Sequence, residues 1–150
     1  MYNTALRLTG DQHEAEDAVQ EGFIKAFRKI HQFRYQGSFG GWLKRIIVNA
    51  TLDRLRKRPP EYSKLEVAEA SFEEKEEVET FPDAARINSE ILKLPSGCRE
   101  ILCLYLLEGY SQKEIAACLG ISLSTVKTQY RRARMILRDR LTAINDERSV

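Results

Sequence analysis

Residues 111–127 read Ser-Gln-Lys-Glu-Ile-Ala-Ala-Cys-Leu-Gly-Ile-Ser-Leu-Ser-Thr-Val-Lys, a run that admits one local architecture, two short helices joined by a glycine turn. Ser111 followed three residues later by Glu114 is a capping box, in which side chains satisfy free backbone amides at the helix start and stabilise it by about 1 kcal/mol. Ala116 is small where a second helix must cross, and Gly120 follows Leu119 where a left-handed residue lets the chain reverse. Ser122 caps the next helix. Along that helix Val126, Tyr130, Ala133, Leu137 and Leu141 recur at helical spacing as a packing face, while Lys127, Arg131, Arg134 and Arg138 form a basic stripe about a quarter turn away. A helix-turn-helix with a basic second helix makes duplex DNA the expected partner.

The N-terminal part of such a helix reaches base edges in the major groove, which favours Lys127, Thr128 and Arg131 as readers. Arg132 and Arg134 come next, with phosphate contact and base contact both open, and Ser111 completes the candidate set. Arg138 and Arg140, far from the helix start, read as solvated surface.

Charge is segregated along the chain. Residues 1–60 carry 11 basic against 6 acidic side chains, 61–94 carry 4 against 10, and 95–150 carry 9 against 6. Two basic ends around an acidic middle suit two nucleic-acid-binding modules joined by a segment that avoids the phosphate backbone. Residues 61–80 are rich in glutamate with few apolar anchors and read as a flexible acidic linker. No apolar run approaches membrane-spanning length and the N-terminus lacks a signal-peptide core, which predicts a cytoplasmic protein. Cys98, Cys103 and Cys118 sit among Leu and Ile without a Cys-x-x-Cys pair, and read as buried reduced thiols.

Helical periodicity runs through the rest, and no segment alternates as a strand does. Leu6 and Leu8, closed by Thr9-Gly10, look like the tail of a helix. From Glu14 to Ile30 the repeat of Val19, Phe23, Phe27 and Ile30 predicts an amphipathic helix with Asp11 as its cap. A loop over residues 32–41 follows, and then a helix from Trp42 to Arg58 with Leu43, Ile46, Ile47 and Ala50 buried, ended by Pro59-Pro60. Beyond the linker, Pro82-Asp83 opens a helix to Leu94, Pro95-Ser96-Gly97 breaks it, and Cys98–Leu107 forms another before the helix-turn-helix. The expected fold is therefore all-α: a helical domain over 1–58, a linker over 59–81, and a four-helix domain over 82–143.

The loop and the helix after it interleave Phe33, Tyr35, Phe39 and Trp42 with Arg34, Lys44, Arg45, Arg54, Arg56, Lys57 and Arg58. Aromatic faces stack on unpaired bases at roughly 1–3 kcal/mol per base while cations follow the sugar-phosphate chain, so this composition suits single-stranded DNA. A second reading makes Phe39 and Trp42 core anchors of the helix start. If the loop folds back over the helix, Phe33 and Asn49 could wall a pocket for an extruded base.

The segments Asp17-Ala18-Val19-Gln20-Glu21-Gly22-Phe23-Ile24-Lys25-Ala26-Phe27, Phe33-Arg34 and Phe39-Gly40-Gly41-Trp42-Leu43-Lys44-Arg45-Ile46-Ile47-Val48-Asn49, with the helix-turn-helix ending Arg132-Ala133-Arg134, together resemble a sigma factor of the extracytoplasmic-function group of the sigma-70 family. That resemblance implies a sigma-two domain, a sigma-four domain and a linker running through RNA polymerase. It implies that the helix bearing Asp17, Gln20, Glu21, Phe23 and Ile24 docks on core RNA polymerase, while a purely structural reading of the same helix leaves Phe23 partly in the core. It assigns the minus-ten element of promoter DNA, as unpaired non-template strand, to Phe33, Arg34, Phe39, Lys44, Arg45, Asn49 and Arg54. The minus-thirty-five duplex falls to Ser111, Lys127, Thr128, Arg131, Arg132 and Arg134. Lys127 stands where arginine is frequent in the family, which weakens the case for a bidentate guanine contact there. Family members carry about one more leading helix, whose loss would expose apolar surface on Val19, Phe23 or Phe27. An anti-sigma factor, often at the inner membrane, is a further implied partner.

No phosphate-binding glycine loop, metal-ligand cluster or nucleophile-base pair occurs in the sequence, and His13 and His31 read as surface residues. The expectation is a protein that is not an enzyme, with no cofactor, metal or small-molecule substrate. Its rival is a free-standing helix-turn-helix regulator that binds duplex DNA as a dimer and needs neither the aromatic loop nor a polymerase-binding helix.

Overall fold

The computed structural model describes residues 1–57 and 82–148, with side chains described for 1–57 and 84–143. The chain separates into two compact units, Met1–Ala68 and Glu69–Val150. Among the described residues every regular element is helical. The expected linker and Arg58 lie outside the described residues.

In the first unit α1 spans Tyr2–Thr9, α2 Gln12–Lys29 and α3 Phe39–Arg56, with a 3₁₀ turn at Ile30–Gln32. Gly10 closes α1 in the left-handed conformation at φ 69°, its amide donating to the Leu6 carbonyl. Asp11 then accepts the Glu14 amide at 2.9 Å, so two residues end one helix and start the next. The expected cap is present, and α2 begins two residues ahead of the Glu14 start read from periodicity.

The buried face of α2 differs from the one its apolar repeat predicts. Ala15, Ala18, Gly22 and Ala26 face the core, whereas Phe23 is 37% exposed, Phe27 72% and Ile30 52%. Size decides this. A methyl group placed on Gly22 would come within 2.6 Å of the Ile47 side chain and 2.9 Å of the Ile47 Cα, so the backbones of α2 and α3 are closer than a bulky side chain permits. Phe27 is left on the outer surface, and Phe23 is only partly covered. On α3 the buried set is Ile47, Val48, Ala50, Thr51 and Leu52, with Leu43 and Ile46 only half-buried. Thr51 is accommodated because its hydroxyl donates to the Ile47 carbonyl one turn back, at 2.9 Å.

In the second unit α4 spans Pro82–Leu92, α5 Ser96–Leu102, a π-helical segment Cys103–Leu107, α6 Gln112–Leu119 and α7 Leu123–Arg148. Ser96 and Gly97 belong to α5, with Pro95 at its N-cap; α4 ends at Leu92, two residues short of expectation, and α7 continues past the boundary at 143. Leu94, Cys98, Ile101, Leu102, Leu104, Ile115, Val126 and Ala133 are buried together as the core of this unit. Glu90, nearly buried on α4, lies 2.8 Å from Lys93 and 3.8 Å from Arg140 of α7, which ties the first helix of the unit to the last.

Gly22→Ala should destabilise the first unit by about 1–3 kcal/mol through overpacking, despite alanine's higher helix propensity. Gly40→Ala, whose added methyl meets nothing within 4 Å, should be neutral or slightly stabilising. Urea unfolding of both variants checks this, and equal midpoints would remove the close-approach argument.

Candidate nucleic-acid interfaces

The helix-turn-helix forms as its residues dictate. The Ser111 hydroxyl accepts the Glu114 amide at 3.2 Å and the Glu114 carboxylate accepts the Ser111 amide at 2.8 Å, which completes the capping box. Gly120 reverses the chain at φ 67°, and Ser122 caps α7 by accepting the Thr125 amide at 3.1 Å. Ile115, Val126 and Ala133 are fully buried while Tyr130, Leu137 and Leu141 are half-buried, so the expected packing face of α7 is present.

At 100° per residue Lys127, Arg131, Arg134 and Arg138 fall within one narrow stripe of α7, and all four are exposed. Thr128 and Arg132 are exposed as well, but lie about 100° round the helix from Lys127 and Arg131 respectively. Arg132 faces the α5 side. Its charge acts on the buried Cys98 thiol, opposing the larger effect of desolvation, which pushes the Cys98 pKa up. The protonated Cys98 thiol donates to Gln129 Oε1 at 3.0 Å, adding a polar tie between α5 and α7. Cys98 and Cys103 are buried free thiols, and Cys118 is a partly exposed one. Arg134 is held in place, with its guanidinium 5.8 Å from the Tyr130 ring centre and Tyr130 edge-on to Tyr105 at 4.8 Å. Ser111 is exposed, and its amide and hydroxyl oxygen both serve the cap.

A second interface gathers on the first unit. Helix α3 starts at Phe39, earlier than the expected Trp42, because Ser38 caps it by accepting the Gly41 amide at 3.1 Å. The preceding loop folds back onto this first turn. Phe33 becomes the hub of a ring cluster, with centroids 4.9 Å from Tyr35, 5.5 Å from Phe39 and 5.4 Å from Trp42. Phe33 and Trp42 are half-buried, Phe39 is 47% exposed and Tyr35 is 86% exposed.

Trp42, Arg45 and Asn49 share one face of α3, with Arg45 and Asn49 exposed, and Asn49 stands about 10 Å along the axis from Trp42. Arg34 is exposed in the loop. Lys44 and Arg54 lie on other faces. Arg54 turns toward α2, where its guanidinium meets Asp17 at 2.9 Å and Glu21 at 3.6 Å. Glu21 also binds Lys25 at 2.7 Å, and Lys25 reaches Asp53 at 3.6 Å, so an ion-pair chain stitches α2 to α3. Residues assigned separately to polymerase and to DNA are thus each other's partners.

On α2 the exposed Asp17, Gln20 and Ile24 lie along one face with the half-buried Glu21, beside the uncovered rings of Phe23 and Phe27. His13 and His31 are exposed. Among the described residues no helix is long and apolar enough to cross a membrane. Tyr35, one of the loop aromatics read from the sequence, has its backbone at φ 57°, the one positive φ outside glycine among the described residues.

These features define the class, an all-helical protein of two modules, one of them a helix-turn-helix. Residues 1–59 match the family described as Sigma-70 region 2, and residues 84–137 match Sigma-70, region 4. The ECF RNA polymerase sigma factor SigE of Mycolicibacterium smegmatis is 35% identical over 158 residues, covering 98% of this chain, which spans 59% of that relative's length. SigW of Bacillus subtilis is 35% identical over 94% of this chain and 82% of its own. Among solved structures, the sigma factor RpoE of Bartonella quintana, in complex with the anti-sigma factor NepR, superposes with a TM-score of 0.64 at 25% identity over 94% of this chain and 89% of its own. CnrH, in complex with the cytosolic domain of CnrY, gives 0.52 at 30% identity over 95% and 80%. The chain belongs to the extracytoplasmic-function group of the sigma-70 family of RNA polymerase sigma factors.

The ion-pair chain carries a pH signature. Its hydrogen bond to Lys25, with the nearby Arg54 charge, lowers the Glu21 pKa, so this contribution is full above the ordinary glutamate value of about 4.3 and is lost as pH falls through the depressed one. The bond to Glu21 raises the Lys25 pKa, so its contribution is full below about 10.4 and is lost as pH rises through the raised value. Glu21→Gln should therefore lower stability at neutral pH and flatten its dependence at both extremes. Urea midpoints of the full chain at a series of pH values test this; parallel curves for wild type and variant would contradict it.

Proposed function

We propose that this chain confers promoter specificity on core RNA polymerase by dividing DNA recognition between its two units. The helix-turn-helix reads the minus-thirty-five duplex, with Lys127, Thr128 and Arg131 at base edges and Arg132, Arg134 and Ser111 at the backbone or flanking bases. On the first unit the aromatic loop with Phe33 and Phe39, together with Arg34, Arg45 and Asn49, forms the surface for unpaired non-template bases of the minus-ten element, with Lys44 and Arg54 assisting. Polymerase docks on the outer face of α2 through Asp17, Gln20, Glu21 and Ile24, where uncovered apolar side chains lie beside polar ones, as at protein interfaces.

One observation carries this reading. Rings and cations converge at the start of α3 on the same chain as a basic recognition helix, an arrangement that a regulator reading duplex alone does not need.

Opening DNA costs on the order of 1.4 kcal/mol per base-pair step, so a few stacked bases offset part of it and the polymerase must hold the rest. Recognition belongs to this chain and the chemistry of RNA synthesis to its partner. RpoE, solved with the anti-sigma factor NepR, supports an anti-sigma factor as a further partner; such a partner would mask these faces, in the cytoplasm or at the inner membrane.

In transcription with core polymerase and a promoter library, Arg131→Ala should weaken upstream duplex binding with altered sequence preference, at about 1–3 kcal/mol per lost base contact. Asn49→Ala should spare duplex binding and impair open-complex formation. Equal effects of both changes on both assays would overturn the division of labour. High-affinity binding to palindromic duplex without polymerase association would make the chain a free-standing regulator instead.

A further inference from the structure

Resting on the proposed reading of the first unit, we infer that the base-stacking surface for the unpaired strand is the Tyr35 ring, and that Phe33 is the positioning residue that holds it. An aromatic residue can receive a base only on an open face. Phe33 has three rings around it within 5.5 Å, from Tyr35, Trp42 and Phe39, and is half-buried, so its faces are already engaged by protein. Among the described residues Tyr35 has one ring neighbour, Phe33, at 4.9 Å and tilted 57° to it, a contact that supports the ring while most of its surface stays in solvent. At 86% exposure it is the most open large apolar or aromatic side chain among the described residues.

The backbone beneath it points the same way. Tyr35 sits at φ 57°, in the left-handed region where glycine or asparagine is the ordinary occupant and a bulky side chain is an outlier. Conformation alone would favour a small residue there, so a large ring presented to water from a strained position is the pattern of a ligand-facing side chain. Arg34 precedes it in the chain and is exposed, and Arg45 is exposed on α3, which provides cations for the phosphates that flank a stacked base. Stacking uses the face of the ring and not the hydroxyl, so Tyr35 accepts any base and adds affinity. Discrimination is left to polar groups such as Asn49.

The test uses the full chain bound to core polymerase and fork-junction DNA from a promoter found in the transcription assay, with 2-aminopurine placed in turn at each unpaired minus-ten position. Wild type should quench the fluorescence strongly at one position. Tyr35→Ala should lose that quenching and weaken fork-junction binding by roughly 5- to 150-fold, the range that one lost stack corresponds to. Tyr35→Phe should restore both. Phe33→Ala should lose quenching in part, with the fold monitored by circular dichroism.

Quenching that survives in Tyr35→Ala, or that is abolished in Phe33→Ala alone, returns the stacking role to Phe33 and overturns the assignment. A wild-type chain that supports transcription yet quenches at no position overturns it as well, and leaves the sigma-factor reading standing. Failure of the wild-type chain to support transcription defeats the wider reading, and the Tyr35 assignment with it.

Discussion

The first unit depends on the near-contact of two backbones where Gly22 of α2 crosses Ile47 of α3. Helices usually pack 8–10 Å apart because side chains hold them there, and a glycine at the crossing lets one axis approach further. Ala15, Ala18 and Ala26 extend the same low face along α2, so α3 lies against a surface almost without relief. Leu6 and Leu8 of α1 supply the larger side chains this core needs. The cost is that the bulkiest residues of α2 find no room inside. Ile24 and Phe27, the partly covered Phe23 and Ile30 of the turn that follows form the apolar component of an outward face. One packing constraint thus both builds the core and leaves a surface suited to a protein partner.

The second unit solves a different problem, holding a long basic helix at a fixed angle with little apolar surface of its own. Its solution is local chemistry at the helix ends. Three caps in about twelve residues, at Ser111, Gly120 and Ser122, set the entry and exit directions of α6 and the start of α7. Buried Ile115, Val126 and Ala133 then lock α6 and α7 together. Farther along α7, Glu90 with Arg140 and the Cys98 thiol with Gln129 tie it to α4 and α5. The basic stripe is therefore displayed on a rigid element, and Tyr130 limits how far Arg134 can wander.

Local signals were legible and size-dependent ones were not. The caps at Asp11, Ser111 and Ser122, the reversals at Gly10 and Gly120 and the stripe on α7 follow from residues within a few positions of one another. The burial of α2 does not. Periodicity identifies apolar positions without saying which neighbour is too close to admit them, and the repeat of phenylalanines outweighed the alanines and glycine opposite. The Phe-Gly-Gly sequence at the start of α3 reads as loop, although the Ser38 cap draws it into the first turn. At the site, the fold-back of the aromatic loop was anticipated only as a condition. The pairing of Arg54 with Asp17, 37 residues away, has no local signature. The positive φ of Tyr35 has no local signature either, because strain at a single residue is a property of the folded backbone.

The pairing of Arg54 also bears on how the two DNA contacts divide affinity and specificity. Cations give binding that depends on salt and hardly on sequence, and an arginine held by two carboxylates contributes less of it. On the proposed reading, the side chains of the first unit left to the strand are therefore rings and a few exposed polar groups, whose energies do not fade with ionic strength in the same way. On α7 the balance is reversed, with four exposed cations in one stripe. Duplex engagement should set where the protein arrives, through contacts that are long-ranged and forgiving. Capture of unpaired bases acts only once they are unstacked, through contacts that are short-ranged and depend on ring placement. Under the proposed function, a chain built in this way would gain little from unpaired DNA until another agent separates the strands beside it, so its recognition chemistry would be complete only in the company of the polymerase.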